Sequence, residues 1–251
     1  MKGMVIITMK KLIAVLLTLT LLCAFSGCGE KTDINAKSEG VLTYAQYTDA
    51  ALDTQVVVEG FIQAKQAYSE EYGNTSLYLQ DGDGAYFVYR IACTAEQYES
   101  MKVGSKIKVT GYKSEWSGEV EIVDATFEME EGTYTAAAVD VTSLLGTDGL
   151  AAKQNQKVLF KGLKVEAANE AGDAFLYSYD GSGQEGSDLY FNVSLNGTTY
   201  SFVVESDLCG ADTDVYKAVK ALKVGDIIDV EGFLYWYNGA NPHVTSVTVS
   251  K

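Results

Sequence analysis

Residues 102–112, KVGSKIKVTGY, return near the C-terminus as residues 223–233, KVGDIIDVEGF. Six positions are identical, and an aromatic residue ends both segments. A second related pair, VVVEGF at 56–61 and VLFKGL at 158–163, precedes each copy in the same order. Two copies of one domain explain this arrangement. The sequence therefore predicts a tandem repeat.

The first copy has β-branched and aromatic runs separated by Gly, Asn and Asp, which is typical of a mainly β protein. Thr94 and Gln97 form a capping pattern that predicts a helix over 94–101. The predicted strands flank this helix, three before it and two after it, at 56–62, 76–81, 85–90, 106–112 and 119–127. This order resembles the OB fold, a small five-stranded barrel.

The second copy repeats the order and contains the strong hairpin signal Asn196-Gly197. We expect its helix at 213–222 and an extra strand at 175–179. Its five principal strands are predicted at 157–167, 189–195, 199–205, 227–235 and 243–249. The predicted fold class is thus mainly β, with two tandem OB-fold-like five-stranded barrels, each with one helix between strands 3 and 4.

The predicted organisation has five parts. These are a signal peptide (1–27), a flexible tether (28–42), OB-fold domain 1 (43–131), a connecting segment (132–155) and OB-fold domain 2 (156–251). The connecting segment contains a possible helix near 139–145. Cys93 and Cys209 lack the close spacing of a metal or redox pair, so we expect two partly buried free thiols. The alternative is a disulfide between them.

The N-terminus has a lysine pair, an apolar run over 12–22 and then Phe25-Ser26-Gly27-Cys28. It resembles the lipobox signal of bacterial lipoproteins, although Phe25 stands where that pattern usually has Leu. The resemblance implies a diacylglyceryl group on Cys28, cleavage before it and a further acyl chain on the new amino terminus. It places the mature protein outside the cytoplasm, anchored to the cell membrane. The alternatives are an ordinary signal peptide cut elsewhere, and initiation at Met9 instead of Met1.

The mature protein would be strongly acidic. Cys28 onward, the chain has 16 basic and 34 acidic residues, a formal charge of −18. Nucleic-acid binding depends on cationic side chains that displace counterions from phosphates. The negative charge of the mature protein therefore argues against nucleic acid as a partner.

The turn Leu79-Gln80-Asp81-Gly82 resembles OB-fold domains of exported bacterial proteins. Such barrels bind oligonucleotides or oligosaccharides across strands two and three. Strict alternation predicts that Leu77, Leu79, Phe87 and Tyr89 face the core. The outward, candidate ligand-binding residues are then Tyr78, Gln80, Tyr86 and Arg90. The alternatives are a solvated sheet face and a packing surface for the other barrel.

Further candidate ligand-binding residues lie in the loops between strands four and five. They are Trp116 in the first copy and Tyr235, Trp236 and Tyr237 in the second. Aromatic residues at a barrel mouth suit carbohydrate stacking or a protein contact, and capping of the core is the alternative. His243, the single histidine, is expected to be structural.

No catalytic, cofactor or metal pattern stands out. Asp81 and Asp83 are weak candidates for a cation, but a plain β-turn is favoured because the later ligands of a calcium loop are missing. Residues 181–186, GSGQEG, fit a dinucleotide pattern, yet a strand follows them instead of a helix. Glu119 and Glu121 are expected on a solvated strand edge, and no acid–base pair can be named.

The sequence thus favours a membrane-anchored, non-catalytic binding or interaction module. Its expected ligand is a glycan, a peptide or another envelope protein. The alternatives are a nucleic-acid-binding OB-fold protein, by analogy of fold, and an accessory subunit of an envelope hydrolase.

Overall fold

The computed structural model describes residues 33–250 of the 251-residue chain. The predicted signal peptide and Cys28 lie outside the described residues. Across 33–250, every helix is too short or too polar to cross a membrane.

The first barrel follows a short helix, α1 (Tyr44–Asp49), and contains a second one, α2 (Ala95–Ser100), between its third and fourth strands. Both helices begin at a capping box, in which Thr43 or Thr94 pairs with a glutamine three residues on. The strands are β1 (Gln55–Lys65), β2 (Asn74–Gln80), β3 (Ala85–Ala92), β4 (Ser105–Trp116) and β5 (Glu119–Thr133). They close in the order β1-β2-β3-β5-β4.

The second barrel is a seven-stranded sheet in which β7 also pairs with β9, so that five strands form a closed ring. Helix α3 (Asp214–Lys220) lies between the third and fourth strands of this ring. The ring consists of β7 (Lys157–Glu166), β9 (Leu189–Leu195), β10 (Thr198–Val204), β11 (Ile227–Phe233) and β12 (His243–Val249). Two-residue strands extend it at either side, β6 (Val139–Asp140) beside β7 and β8 (Leu176–Tyr177) beside β9. The predicted fold class is confirmed.

Each barrel has its own apolar core, and the connecting segment is divided between the barrels: Tyr134 and Ala136 contact the first, and residues 141–150 pack on the second. Val141, Leu145 and Leu150 are buried in the core of the second barrel. The possible helix near 139–145 is confirmed only in part: β6 pairs with β7 at its start, a 3-10 helix forms at Thr142–Leu144, and a second one follows at Asp148–Lys153. Cys93 and Cys209 are buried free thiols, as expected.

Residues 35–42, which belong to the predicted flexible tether, lie against the first barrel. The Lys37 ammonium donates to the Glu59 carbonyl at 2.7 Å and to the Asp81 carboxylate at 2.5 Å. Leu42 N–H donates to the Val57 carbonyl at 2.9 Å. The chain is therefore bonded to the barrel well before α1 begins.

The register of β3 differs from the predicted alternation by one residue. The Asp81 carboxylate accepts the N–H groups of Asp83 and Gly84 at 2.7 and 2.8 Å, which closes the turn. Leu79 consequently pairs with Tyr86 instead of Phe87. A slip of one residue exchanges the two faces of a strand.

Tyr86 therefore faces the core with Val88, while Phe87 and Tyr89 face outward. The predictions that Tyr86 faces outward and that Phe87 and Tyr89 face inward are wrong.

The outer face of β2 and β3 packs on the second barrel. The Tyr78 ring stacks on Phe233, with ring centroids 4.4 Å apart and planes 14° apart, and Phe87 meets Tyr235 edge-on at 5.4 Å. Gln80 accepts the Lys157 N–H at 2.8 Å. Tyr78 and Gln80 thus face outward as predicted, but they are buried in the interface, so the alternative of a packing surface for the other barrel is confirmed for them.

Phe233 provides a test of this packing. Phe233→Ala removes the ring that stacks on Tyr78, so we expect the free energy of unfolding to fall by about 3–5 kcal/mol. Chemical denaturation monitored by fluorescence measures the loss. The exposed Val249→Ala serves as a control and should change stability by about 0.5 kcal/mol or less. Equal effects of the two substitutions would show that the stack contributes little.

Candidate functional site

A cleft of about 620 Å³ lies on the second barrel. Its base is the outer face of β9 and β10, which are strands two and three of that barrel. Its walls are the loop between β11 and β12 and the connection between β7 and β9. The lining residues are Trp116, Ala168, Leu176, Tyr179, Tyr190, Asn192, Ser201, Tyr235, Tyr237, Asn238, Gly239, Ala240, Asn241 and His243.

The base of the cleft follows from strand alternation. Leu189, Phe191 and Val193 are buried in the core, so Tyr190 and Asn192 between them point outward. Asn192 pairs with Ser201 across the two strands. The base therefore carries an aromatic ring, an amide and a hydroxyl in one patch.

One wall is aromatic and is shared by the two barrels. Trp116, at the end of β4 in the first barrel, lies 5.1 Å from Tyr237 of the second, measured between ring centroids. These side chains are 53% and 51% exposed, and Tyr179 nearby is 78% exposed. Exposed rings at the rim of a cleft are available to a ligand.

Backbone contacts between the barrels hold this wall in place. Asn238 N–H donates to the Ser117 carbonyl at 2.7 Å, and Trp236 N–H donates to the Glu119 carboxylate at 2.9 Å. Gly118 has φ +91°, and a Cβ there would lie 2.7 Å from Cδ1 of Trp236. Glycine is required at this position both for the turn and for the close approach of the indole.

The floor of the cleft contains His243, which begins β12. Its ring stacks on Tyr235 with centroids 4.2 Å apart, and its Nδ1 lies 2.8 Å from the Tyr78 hydroxyl. Burial lowers the pKa of His243 to about 3. The imidazole is consequently neutral at physiological pH.

None of the residues that line the cleft carries a charge at neutral pH, but buried carboxyl groups lie behind its walls. Burial raises the pKa of Glu119 to about 8 and that of Glu205 to about 7. Burial also raises the pKa of Glu121. The prediction of a solvated edge for Glu119 and Glu121 is wrong, because the second barrel covers this face of β5.

Glu119 and Asn155 each have a buried side-chain oxygen that receives no hydrogen bond from residues 33–250. Oε1 of Glu119 and Oδ1 of Asn155 are buried and have no hydrogen-bond partner among the described residues. Asn155 uses its amide N–H on the Val120 carbonyl, at 3.1 Å. Burial favours a protonated Glu119, whose O–H can donate where a carboxylate could only accept.

The structure brings together three of the predicted ligand-binding residues, Trp116, Tyr235 and Tyr237. Trp236 lies on the far side of the same loop, over Gly118. Arg90 is exposed on the first barrel, with its guanidinium 5.0 Å from the centre of the Tyr89 ring. The remaining candidates Tyr78, Gln80 and Tyr86 are buried away from solvent.

Asp81 and Asp83 form the expected β-turn. The Asp81 carboxylate is occupied by two backbone N–H groups and by Lys37. Within 33–250, no three His, Cys, Asp or Glu side chains are grouped so that they can hold a metal ion.

Sequence reasoning missed Tyr190, Asn192, Ser201 and the part played by His243. The first three carry a recognisable signal, since they alternate with buried residues on strands two and three of the second copy. The position of His243 depends on its contact with Tyr78, 165 residues away, and has no local signal.

No protein-family model and no curated protein sequence matches the chain. Among similar solved structures, the HINa domain of Ifi202 in complex with a 20-base-pair double-stranded DNA is 12% identical, with a TM-score of 0.34, over 78% of this chain and 98% of that one. A deletion mutant of the single-stranded DNA-binding protein from Thermus aquaticus is 16% identical, with a TM-score of 0.27, over 80% and 97% of the two chains. A replication protein A heterotrimer bound to single-stranded DNA is 12% identical, with a TM-score of 0.29, over 76% and 50%. These values describe a loose likeness of fold.

Glu119→Gln tests the protonation of the buried carboxyl group. Since the pKa of Glu119 rises from 4.5 to about 8 on folding, the unfolded chain ionises first and the free energy of unfolding falls across that pH range. Glutamine mimics the protonated acid, so the variant should equal the wild type near pH 5 and exceed it by ~1–3 kcal/mol near pH 8.

Denaturation curves at several pH values measure this difference. Glu131→Gln, an exposed position on the same strand, is the matched control and should follow the wild type at every pH. A constant offset between Glu119→Gln and the wild type would contradict the assignment.

Proposed function

We propose that the protein is a non-catalytic glycan-binding module whose site is the cleft on the second barrel. The observation that carries this proposal is the chemistry of the lining, which combines aromatic rings with uncharged amide, hydroxyl and imidazole groups. Pockets that bind small or chain-like ligands combine apolar walls with a few placed polar groups. Sugars present C–H faces to aromatic rings and hydroxyl groups to amides.

The shape of the cleft supports the same ligand class. It is open on one side, and Trp116 and Tyr237 stand at its rim. Asn192 and Ser201 lie at the base, and Asn241 lies in the wall. A ring that stacks on the aromatic wall brings its hydroxyl groups toward these polar side chains.

Single-stranded nucleic acid is the second candidate. The similar solved structures are named as DNA-binding proteins or DNA complexes, and exposed aromatic rings can stack on bases. The absence of Lys and Arg from the lining opposes this candidate, as does the formal charge of −18 from Cys28 onward. A glycan is therefore the favoured ligand.

We also propose that the protein is exported and anchored to the cell membrane by lipid on Cys28. The lipobox pattern at 25–28 supports this proposal. A surface-anchored module with a charge-free cleft is suited to polysaccharides or glycans outside the cell. The strongly acidic surface keeps such a module soluble and away from anionic lipid.

A glycan array and titration calorimetry test the cleft. We expect a neutral oligosaccharide to bind, and we expect Trp116→Ala or Tyr237→Ala to weaken its affinity about tenfold, since an aromatic stacking contact is worth ~1 kcal/mol or more. Tyr72→Ala is the matched control, because Tyr72 is exposed outside the cleft, and it should leave affinity unchanged.

Three outcomes would contradict the proposal. Oligosaccharide binding unaffected by both cleft substitutions would place the site elsewhere. Tight binding of oligothymidine with a steep salt dependence would favour nucleic acid. Release of shorter sugars during the titration would show catalysis.

Cys28→Ser tests the anchor. The wild type expressed in bacteria should enter the detergent phase of a Triton X-114 extraction, whereas the variant lacks the thiol that accepts lipid and should stay in the aqueous phase. Cys93→Ser, a change at a buried thiol, is the control and should behave as the wild type. Equal partitioning of wild type and Cys28→Ser would rule out lipidation at this residue.

A further inference from the structure

We propose that His243 presents its Nε2–H as a fixed, uncharged hydrogen-bond donor at the floor of the cleft, and that Tyr78 of the first barrel selects this tautomer. The donor matches a hydroxyl or ring oxygen of a neutral sugar. This inference rests on the proposed function in placing the ligand in the cleft. The tautomer itself is independent of any ligand.

The Tyr78 hydroxyl donates a hydrogen bond to His243. Tyr78 is fully buried, and burial raises its pKa well above the usual value, so the hydroxyl keeps its proton. Its one hydrogen-bond partner among residues 33–250 is Nδ1 of His243, at 2.8 Å. A buried hydroxyl donor that fails to donate loses free energy. The hydroxyl therefore donates, and Nδ1 accepts.

The other described groups around Nδ1 of His243 do not accept a hydrogen bond from it. Oε2 of Glu205 lies 4.0 Å from Nδ1, which is too far for a hydrogen bond. Oε2 of Glu205 accepts from the Gln66 amide at 2.9 Å instead. Tyr235 faces the imidazole with its ring plane and offers it no hydrogen-bond acceptor. Within 33–250, no group other than the Tyr78 hydroxyl forms a hydrogen bond with Nδ1.

The proton of the neutral His243 imidazole therefore lies on Nε2. A neutral ring has one protonated nitrogen, so a bare Nδ1 leaves the proton on Nε2. Nε2 has no hydrogen-bond partner in the described part of the chain, and this atom is not fully buried. Because His243 lines the cleft, this N–H is available to a ligand there.

This arrangement affects ligand selection. An uncharged N–H donor attracts an oxygen lone pair without the long-range attraction that a cation has for phosphate. Asn192, Ser201 and Asn241 add polar groups of the same uncharged kind. Tyr78 thus contributes to specificity without touching the ligand, because it fixes which imidazole nitrogen carries the proton.

Nitrogen NMR tests the tautomer directly. His243 is the only histidine of the chain, so long-range 15N–1H spectra of the protein without an affinity tag contain a single imidazole. We expect Nε2 to stay protonated and Nδ1 to stay bare from pH 5 to pH 8, while the ionisation of Glu205, whose pKa burial raises to about 7, shifts both resonances without moving the proton. In Tyr78→Phe, which keeps the stacked ring but lacks the hydroxyl, the two nitrogens should report a mixture of tautomers. A protonated Nδ1 in the wild type would overturn the proposal.

Tyr86→Phe is the matched control. It also removes a buried tyrosine hydroxyl from the first barrel, but this hydroxyl has no hydrogen-bond partner in the described residues. The His243 resonances should be unchanged in this variant. A change equal to that in Tyr78→Phe would assign the effect to general loosening of the barrel.

Titration of the labelled protein with neutral hexasaccharides from the glycan array, and with oligothymidine, tests the ligand contact. Binding of a hexasaccharide should shift the Nε2 resonance, and Tyr78→Phe should weaken affinity by about 3- to 10-fold, as expected for one hydrogen bond. Hexasaccharide binding with an unmoved Nε2 would overturn the role of His243 and leave the proposed function intact. Binding of oligothymidine alone would overturn the neutral ligand class. Failure of every probe to bind would contradict the cleft itself, whatever the tautomer.

Discussion

The stacking of Tyr78 on Phe233, with its hydroxyl on Nδ1 of His243, is the contact on which the rest of the structure depends. It joins strand two of the first barrel to the last two strands of the second. Aromatic burial supplies most of the free energy, and the hydroxyl fixes the orientation. The surrounding hydrogen bonds, from Gln66 to Glu205 and from Lys157 to Gln80, continue the same interface.

This interface makes two related barrels functionally unequal. Each has a face on strands two and three that an OB fold can use for ligands. In the first barrel that face is covered by Phe233 and Tyr235, whereas in the second it is open above Tyr190 and Asn192. The first barrel then contributes Trp116 to the wall of the open cleft. The site is consequently composite, although all of its base belongs to one barrel.

The fold was largely predictable because its signals are local. Alternation, the Thr94 cap and the Asn196-Gly197 turn define elements over a few residues each, and the repeat relates the two copies. The site was less predictable because it depends on packing between distant segments. Tyr78 and Tyr86 look alike in sequence, yet the Asp81 turn sends one to the interface and the other to the core. Glu119 resembles a surface residue until the second barrel covers it, which no short-range pattern indicates.

Packing between the barrels leaves the second barrel with the open ligand face. Amide hydrogen exchange with and without a bound neutral oligosaccharide is the decisive test of this arrangement. We expect ligand-dependent protection in β9, β10 and residues 234–242, with β2 and β3 protected equally in both states. Ligand-dependent protection confined to β2 and β3 would show that the ligand binds the first barrel instead.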